Sequence, residues 1–287
     1  GRGPVDVAAG AVLGAAWVWA LLEDRAGRVW AGTWHDGLWC FIGGRLTHYS
    51  TRDGLPDDTV LAIAEDRSGC LWLGTEAGLC RFDGDRFTSY TTAHGLAGNT
   101  VNCLAWDRAG RLWCGTEGGV SRYDGQRFDS WTCQDGLAHG SVNAILEDGR
   151  GTLWFGTFGG GITRFDGRVF QTLSREDGLP NDAVHALVED ARGTVWIATE
   201  GGIVRCDPSR EKPSVRVTGV VSDRRYSANR AVGQTAATST PRSAKRLAMA
   251  SVSGIPPEWH FMAQLPHPTT KTFSPGRRYP AISSIGF

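Results

Sequence analysis

Five times along this chain a tryptophan is followed by a short turn ending in threonine. The copies are Trp30-Ala31-Gly32-Thr33, Trp72-Leu73-Gly74-Thr75, Trp113-Cys114-Gly115-Thr116, Trp154-Phe155-Gly156-Thr157 and Trp196-Ile197-Ala198-Thr199. From Trp to Trp the steps are 42, 41, 41 and 42 residues. A period of this length, carried by strand-forming segments, is the signature of a β-propeller. It predicts an all-β chain of five recognisable four-stranded blades, at about residues 12–52, 53–94, 95–135, 136–177 and 178–221.

The second copy shows the grammar most plainly. Residues 59–66 (TVLAIAED) are mostly apolar on both sides, as in a strand buried on both faces near an axis. Asp66-Arg67-Ser68-Gly69 predicts a tight turn, in which Asp bonds its own backbone and Gly takes a positive φ. Residues 71–75 predict the second strand, 79–83 the third and 86–91 the outer one, with glycine-bearing turns between them. The other copies keep D-x-x-G at residues 24–27, 107–110, 148–151 and 190–193. A large flat side chain at one point of every blade fills the gap between neighbouring sheets, so Trp30, Trp72, Trp113, Trp154 and Trp196 read as structural. The Glu-Asp pair preceding four of the five turns reads as turn and surface chemistry, not as catalytic carboxylates.

Charge divides the chain. Residues 1–211 hold 19 Lys and Arg against 28 Asp and Glu, whereas residues 212–287 hold 11 against 2. The basic stretch has no clustered Lys/Arg with interleaved aromatics, and the repeats are acidic, so nucleic acid is not an expected partner. From residue 222 to 287 the chain is rich in Ala, Ser, Thr, Pro and Arg without periodicity, and is expected to be irregular. The seven cysteines include no C-x-x-C pair, which argues against a metal knuckle or a disulfide framework. Cys103 and Cys114 flank one hairpin and a bridge there is one reading; buried thiols in Ala-like and Leu-like positions are the preferred one. The apolar run at residues 7–22 resembles a signal-peptide core but is short for a membrane span. Its second half lies in the repeat register, which predicts an inner strand.

Assembled, the copies read G-L-P-x-x-x-V-x-A-I-x-E-D-x-x-G-x-L-W-x-G-T-x-x-G-L-x-R-F-D-G, and over about residues 12–211 this resembles the two-component regulator propeller repeat. The resemblance implies the extracytoplasmic, periplasmic sensor portion of a bacterial regulator, often a hybrid histidine kinase or diguanylate cyclase. It implies a following tyrosine-rich β-sandwich, a membrane helix and an output domain, and an oligosaccharide or other small polar ligand. Residues 213–226 are similar to an outer strand and the opening of that sandwich, and the tail beyond reads as a remnant of it. The sequence contains no kinase, receiver or cyclase motif, so the output must be supplied elsewhere. Family propellers commonly have more blades. Five either close a ring or form an arc, and an arc would leave apolar faces bare.

A ligand is expected on the end where the blade connections and the second-to-third-strand turns open. Departures from the repeat mark the candidates: Trp34, His35 and Phe158 on the turns, His94 and His139 on the connections. One inner-strand position varies as Trp19, Leu61, Asn102, Asn143 and His185. Asn, His and Trp around a mouth suit a neutral polyhydroxylated ligand. His94, His139 and His185 lack ligand spacing, so no metal, cofactor or catalytic residue is assigned. The enzymatic alternative is a propeller lyase resembling streptogramin-inactivating enzymes, although no acid/base pair is evident around any histidine. The third is a protein-interaction platform. A homodimer is compatible with each.

Overall fold

In the computed structural model the described residues are 5–7, 17–208 and 215–219. The chain divides into a compact unit spanning Gly1–Thr240, which holds all of them, and a second, Pro241–Phe287, outside the described residues. The described part consists of five antiparallel sheets, each formed by consecutive strands of one repeat. Blade 1 carries a fifth strand, because Val5–Val7 adds antiparallel to the outer strand Arg45–Tyr49. The inner strands are Trp17–Glu23, Val60–Glu65, Val101–Trp106, Val142–Glu147 and Val184–Glu189. In blade 2 the remaining strands, Leu71–Thr75, Gly78–Phe82 and Phe87–Tyr90, lie within a residue of the expected spans. The apolar run therefore does contribute an inner strand, beginning at Trp17; residues 8–16 lie outside the described residues. Val215–Gly219 is the outer strand of blade 5, and the expected sandwich and tail from 222 to 287 also lie outside.

The hairpin between first and second strands explains two letters of the repeat at once. In every blade the Asp of D-x-x-G accepts a hydrogen bond from the indole Nε1–H of the Trp six residues on. The distances are 2.8 Å for Trp30 and Asp24, 3.2 Å for Trp72 and Asp66, and 2.9 Å for Trp113 and Asp107. They are 2.8 Å for Trp154 and Asp148, and 2.9 Å for Trp196 and Asp190. The other carboxylate oxygen takes backbone N–H groups of the turn, as Asp148 does from Arg150 and Thr152. Trp can thus be buried whole with its one polar atom satisfied. The Thr closes the opposite end: each buried hydroxyl donates to the carbonyl of the Gly that ends the next turn, at 2.7 to 2.9 Å.

Neighbouring blades touch through their inner and second strands, with no comparable contact between outer strands among the described residues, so the sheets diverge outward from an inner hub. At each junction the Trp of one blade packs on the next blade's second and third strands, as Trp113 does on Leu153, Phe155 and Phe165. The Gly of W-x-G-T lies against the following inner strand. A methyl group on Gly74 would come within 2.6 Å of the Val101 carbonyl oxygen. Glu of the Glu-Asp pair ties three of these junctions by accepting the N–H of the preceding blade's turn. Glu65 takes Arg25 N–H at 3.1 Å, Glu147 takes Arg108 at 2.7 Å and Glu189 takes Gly149 at 2.9 Å. Between blades 2 and 3 Trp106 replaces Glu and meets Trp72 edge-on at 6.4 Å.

At the two ends of the run, apolar side chains are more exposed than their counterparts within it. Inner strands meet one another in chain order, and no comparable contact joins blade 5 back to blade 1 among the described residues. Leu21 on the leading face of blade 1 is 45% exposed, against 7% for its counterpart Ile63. On the trailing face of blade 5, Ile203 is 37% exposed, whereas Leu38, Leu79, Val120 and Ile162 are all at 0%. Trp196 is only half-buried. The five blades thus form an arc. Blade 5 also carries Ala198 where the other four have Gly, and among the described residues no inner strand packs against its methyl.

The cysteines are free thiols, buried except Cys133. A bulge slips the hairpin register, so Cys103 lies opposite Gly115, and Cys114 opposite Leu104.

Candidate functional site

The variable inner-strand position has a structural cause. In each blade the ladder skips one residue of the inner strand, between Val18 and Ala20, Val60 and Ala62, Val101 and Cys103, Val142 and Ala144, and Val184 and Ala186. The skipped residues are Trp19, Leu61, Asn102, Asn143 and His185. A bulge frees its residue from the sheet's alternation and re-aims the side chain. Asn102 uses this freedom to donate from Nδ2 to the Val142 carbonyl of the next inner strand, at 3.3 Å. Asn143 is buried, and its Nδ2 has no hydrogen-bond partner.

Above this ring stand the first residues of the second-to-third-strand turns: Trp34, Glu76, Glu117, Phe158 and Glu200. The turns are pinned by backbone bonds to the connections, such as Glu117 N–H to the Thr100 carbonyl and Phe158 N–H to the Ser141 carbonyl. In blade 1 the two rings meet: Trp19 and Trp34 lie with ring centroids 5.6 Å apart, and Trp34 meets His35 edge-on at 4.9 Å. His35 has φ 63°, the one left-handed backbone outside glycine among the described residues, and its Nδ1 lies 3.0 Å from the Thr59 hydroxyl. In blade 5, His185 Nε2 lies 3.7 Å from Glu200 Oε1. No acid/base pair is visible around a histidine in the sequence; the fold supplies this one.

Other candidates are occupied by local structure. Each connection holds a single 3-10 turn with a reciprocal cap, Ser or Thr at its start and Asp three residues later. His94 replaces that Asp, and its Nδ1 accepts the Thr91 N–H at 3.0 Å. His139 stands where Asp57 and Asn181 stand in other blades, and all three accept the N–H two residues on. Variation there exchanges one acceptor for another. His94, His139 and His185 are not brought together, and no group of three metal-ligating side chains occurs among the described residues.

Sequence reasoning missed Trp17, which pairs across the hairpin with Trp34 and is more than half exposed. Its counterparts are Thr59, Thr100, Ser141 and Ala183, and that contrast was the available signal. It also missed Glu76, whose carboxyl is raised by burial, with Asp57 and Glu117 adding to the shift against an opposing His35. A groove of about 650 Å³ opens at the other end, between blades 3 and 4. Arg111, Arg122 and Arg168 line it, the first two already paired with Asp107 and Asp129.

The model of the two component regulator propeller matches residues 13–35, 54–77, 95–118, 136–159 and 178–201, one segment per blade. The chain belongs to the two-component regulator propeller family. Among solved structures it is similar to the extracellular domain of a putative hybrid two component system from B. thetaiotaomicron, at 26% identity and a TM-score of 0.62. That match covers 70% of this chain and 28% of the other. The extracellular domain of a putative one component system of the same organism gives 21% identity and 0.62 over 76% of this chain and 33% of that one. This propeller chain thus spans about a third or less of either relative. Virginiamycin B lyase from Staphylococcus aureus shares the fold at 13% identity and 0.60, covering 77% and 74%. A comparison with curated proteins gave no match. No helix among the described residues is long and apolar enough to cross a membrane.

Proposed function

We propose that this chain is the ligand-sensing, non-catalytic part of a bacterial signalling regulator, acting outside the cytoplasm on a small polar ligand such as an oligosaccharide. The observation that carries this reading is the ring of bulge residues, where the side chains that vary are re-aimed while the scaffold stays constant. Trp17, Trp19 and Trp34 supply stacking faces, and Asn143 supplies an unspent donor. Extracellular relatives support the location. The signal would leave through an output segment or partner protein. Isothermal titration with a panel of oligosaccharides tests this: saturable binding is expected, and Trp34→Ala with His185→Ala should weaken it while the melting temperature holds. An unchanged affinity in that double variant removes the loop face from the account.

The His185–Glu200 pair favours one second reading, a lyase in which the carboxylate orients a basic imidazole. Turnover of a lactone or polysaccharide, abolished by His185→Ala, would replace the sensor with that enzyme.

A further inference from the structure

The turns of the loop face contain no Lys or Arg, at residues 34–37, 76–77, 117–119, 158–161 and 200–201. The turns carry Asp36, Glu76, Glu117 and Glu200, and the connections add Asp57 and Asp58, with Arg52 and Arg175 in their 3-10 turns. At the opposite end every D-x-x-G hairpin carries an arginine beside its Asp: Arg25, Arg67, Arg108, Arg150 and Arg192.

Blade 1 departs from its neighbours at three contiguous positions, each time toward tryptophan. Trp17 stands for Thr, Ser or Ala, Trp19 for Leu, Asn or His, and Trp34 for Glu or Phe. Trp17 and Trp34 are cross-strand partners, both with exposed rings, and Trp19 tilts against Trp34 at 38°. Exposed indoles carry a negative π face, and beside carboxylates they form the surroundings in which a desolvated organic cation is stabilised. An anionic sugar would meet no balancing cation on these turns. Asn143, buried and with its amide unpartnered, adds a neutral hydrogen-bond donor to the same ring of bulge residues.

We infer that the loop face selects a ligand bearing a protonated amine, held against Trp17, Trp19 and Trp34 with Glu76 and Glu117 supplying the counter-charge. This deepens the sensor reading, and rests on it for the saccharide part alone. An amino sugar and a basic peptide share this chemistry.

The test titrates the full chain with three probes: a glucosamine tetrasaccharide, its fully N-acetylated counterpart, and a Lys-Lys dipeptide amide. The two sugars share a skeleton and differ in charge. The amine sugar is expected to bind about tenfold or more tighter than the acetylated one at low salt, with the gap narrowing as salt is raised. Glu76→Gln with Glu117→Gln should close the gap by weakening the amine sugar, and Trp34→Ala should weaken the amine sugar as well. Thermal melts of each variant check the fold. Equal binding of both sugars overturns the charge selection and leaves the saccharide reading standing. Binding of the dipeptide with neither sugar keeps the selection and removes the saccharide. Binding of none of the three overturns the inference.

Discussion

At the scale of single residues, the repeat is a set of obligations between one polar atom and one partner. Asp107 is buried and holds the Trp113 indole and the Arg111 N–H, so Asp107→Ala strands both and should cost about 1–3 kcal/mol in urea unfolding. Asp190 has the same bonds in a half-exposed turn, and Asp190→Ala should cost less. The same bonds set the acid limit of the fold. Burial pushes the Asp107 carboxyl up, but the Trp113 indole, the turn N–H and Arg111 outweigh it and hold the carboxyl below its ordinary range. The Trp196 indole and the turn N–H groups bring Asp190 from 3.8 to about 2. A depressed carboxylate stabilises the fold fully above its unfolded value and loses that contribution as pH falls through its folded one. The contribution of these carboxylates should therefore be lost as pH falls from about 5 to 2, with the Asp190→Ala variant falling less steeply. A melting temperature that is flat down to pH 2 would contradict this.

At the scale of elements, stability resides at the junctions between blades. Gly115→Ala would drive a methyl into Cys103 Sγ and place it 2.9 Å from the Val142 carbonyl oxygen, and should destabilise. Ala198→Gly, at the matching place in blade 5, should cost much less, because no further inner strand packs on it among the described residues. Likewise Trp113→Ala should cost about 3–5 kcal/mol and Trp196→Ala clearly less. Equal losses at the two tryptophans would mean that blade 5 is packed as the others are, and would contradict the arc. Much of this architecture was legible in the sequence, because turn chemistry and the Trp period are local. The bulges were not: a slipped register leaves no mark on apolar alternation, which is why Cys103 and Cys114 read as facing each other. Nor did the capped 3-10 turns stand out, since Ser50-x-x-Asp53 resembles ordinary loop composition.

At the scale of the whole molecule, the two ends of each blade have been given different work. The D-x-x-G end, rich in arginine, is spent on hairpins and junctions. The loop end is held rigid by backbone bonds and left free to vary. The candidate face expected from the sequence lies on that end; there His94 and His139 accept turn N–H groups, and Trp17 pairs across the hairpin with Trp34. The separation of scaffold from recognition is testable in one experiment through the 12 tryptophans. In a 15N-labelled sample, indole N–H signals are followed while the glucosamine tetrasaccharide is added. The indoles of Trp17, Trp19 and Trp34 should shift together, and those of Trp30, Trp72, Trp113, Trp154 and Trp196, each held by its Asp, should stay in place. Movement of the Asp-bound set with the loop-face set silent would contradict the account.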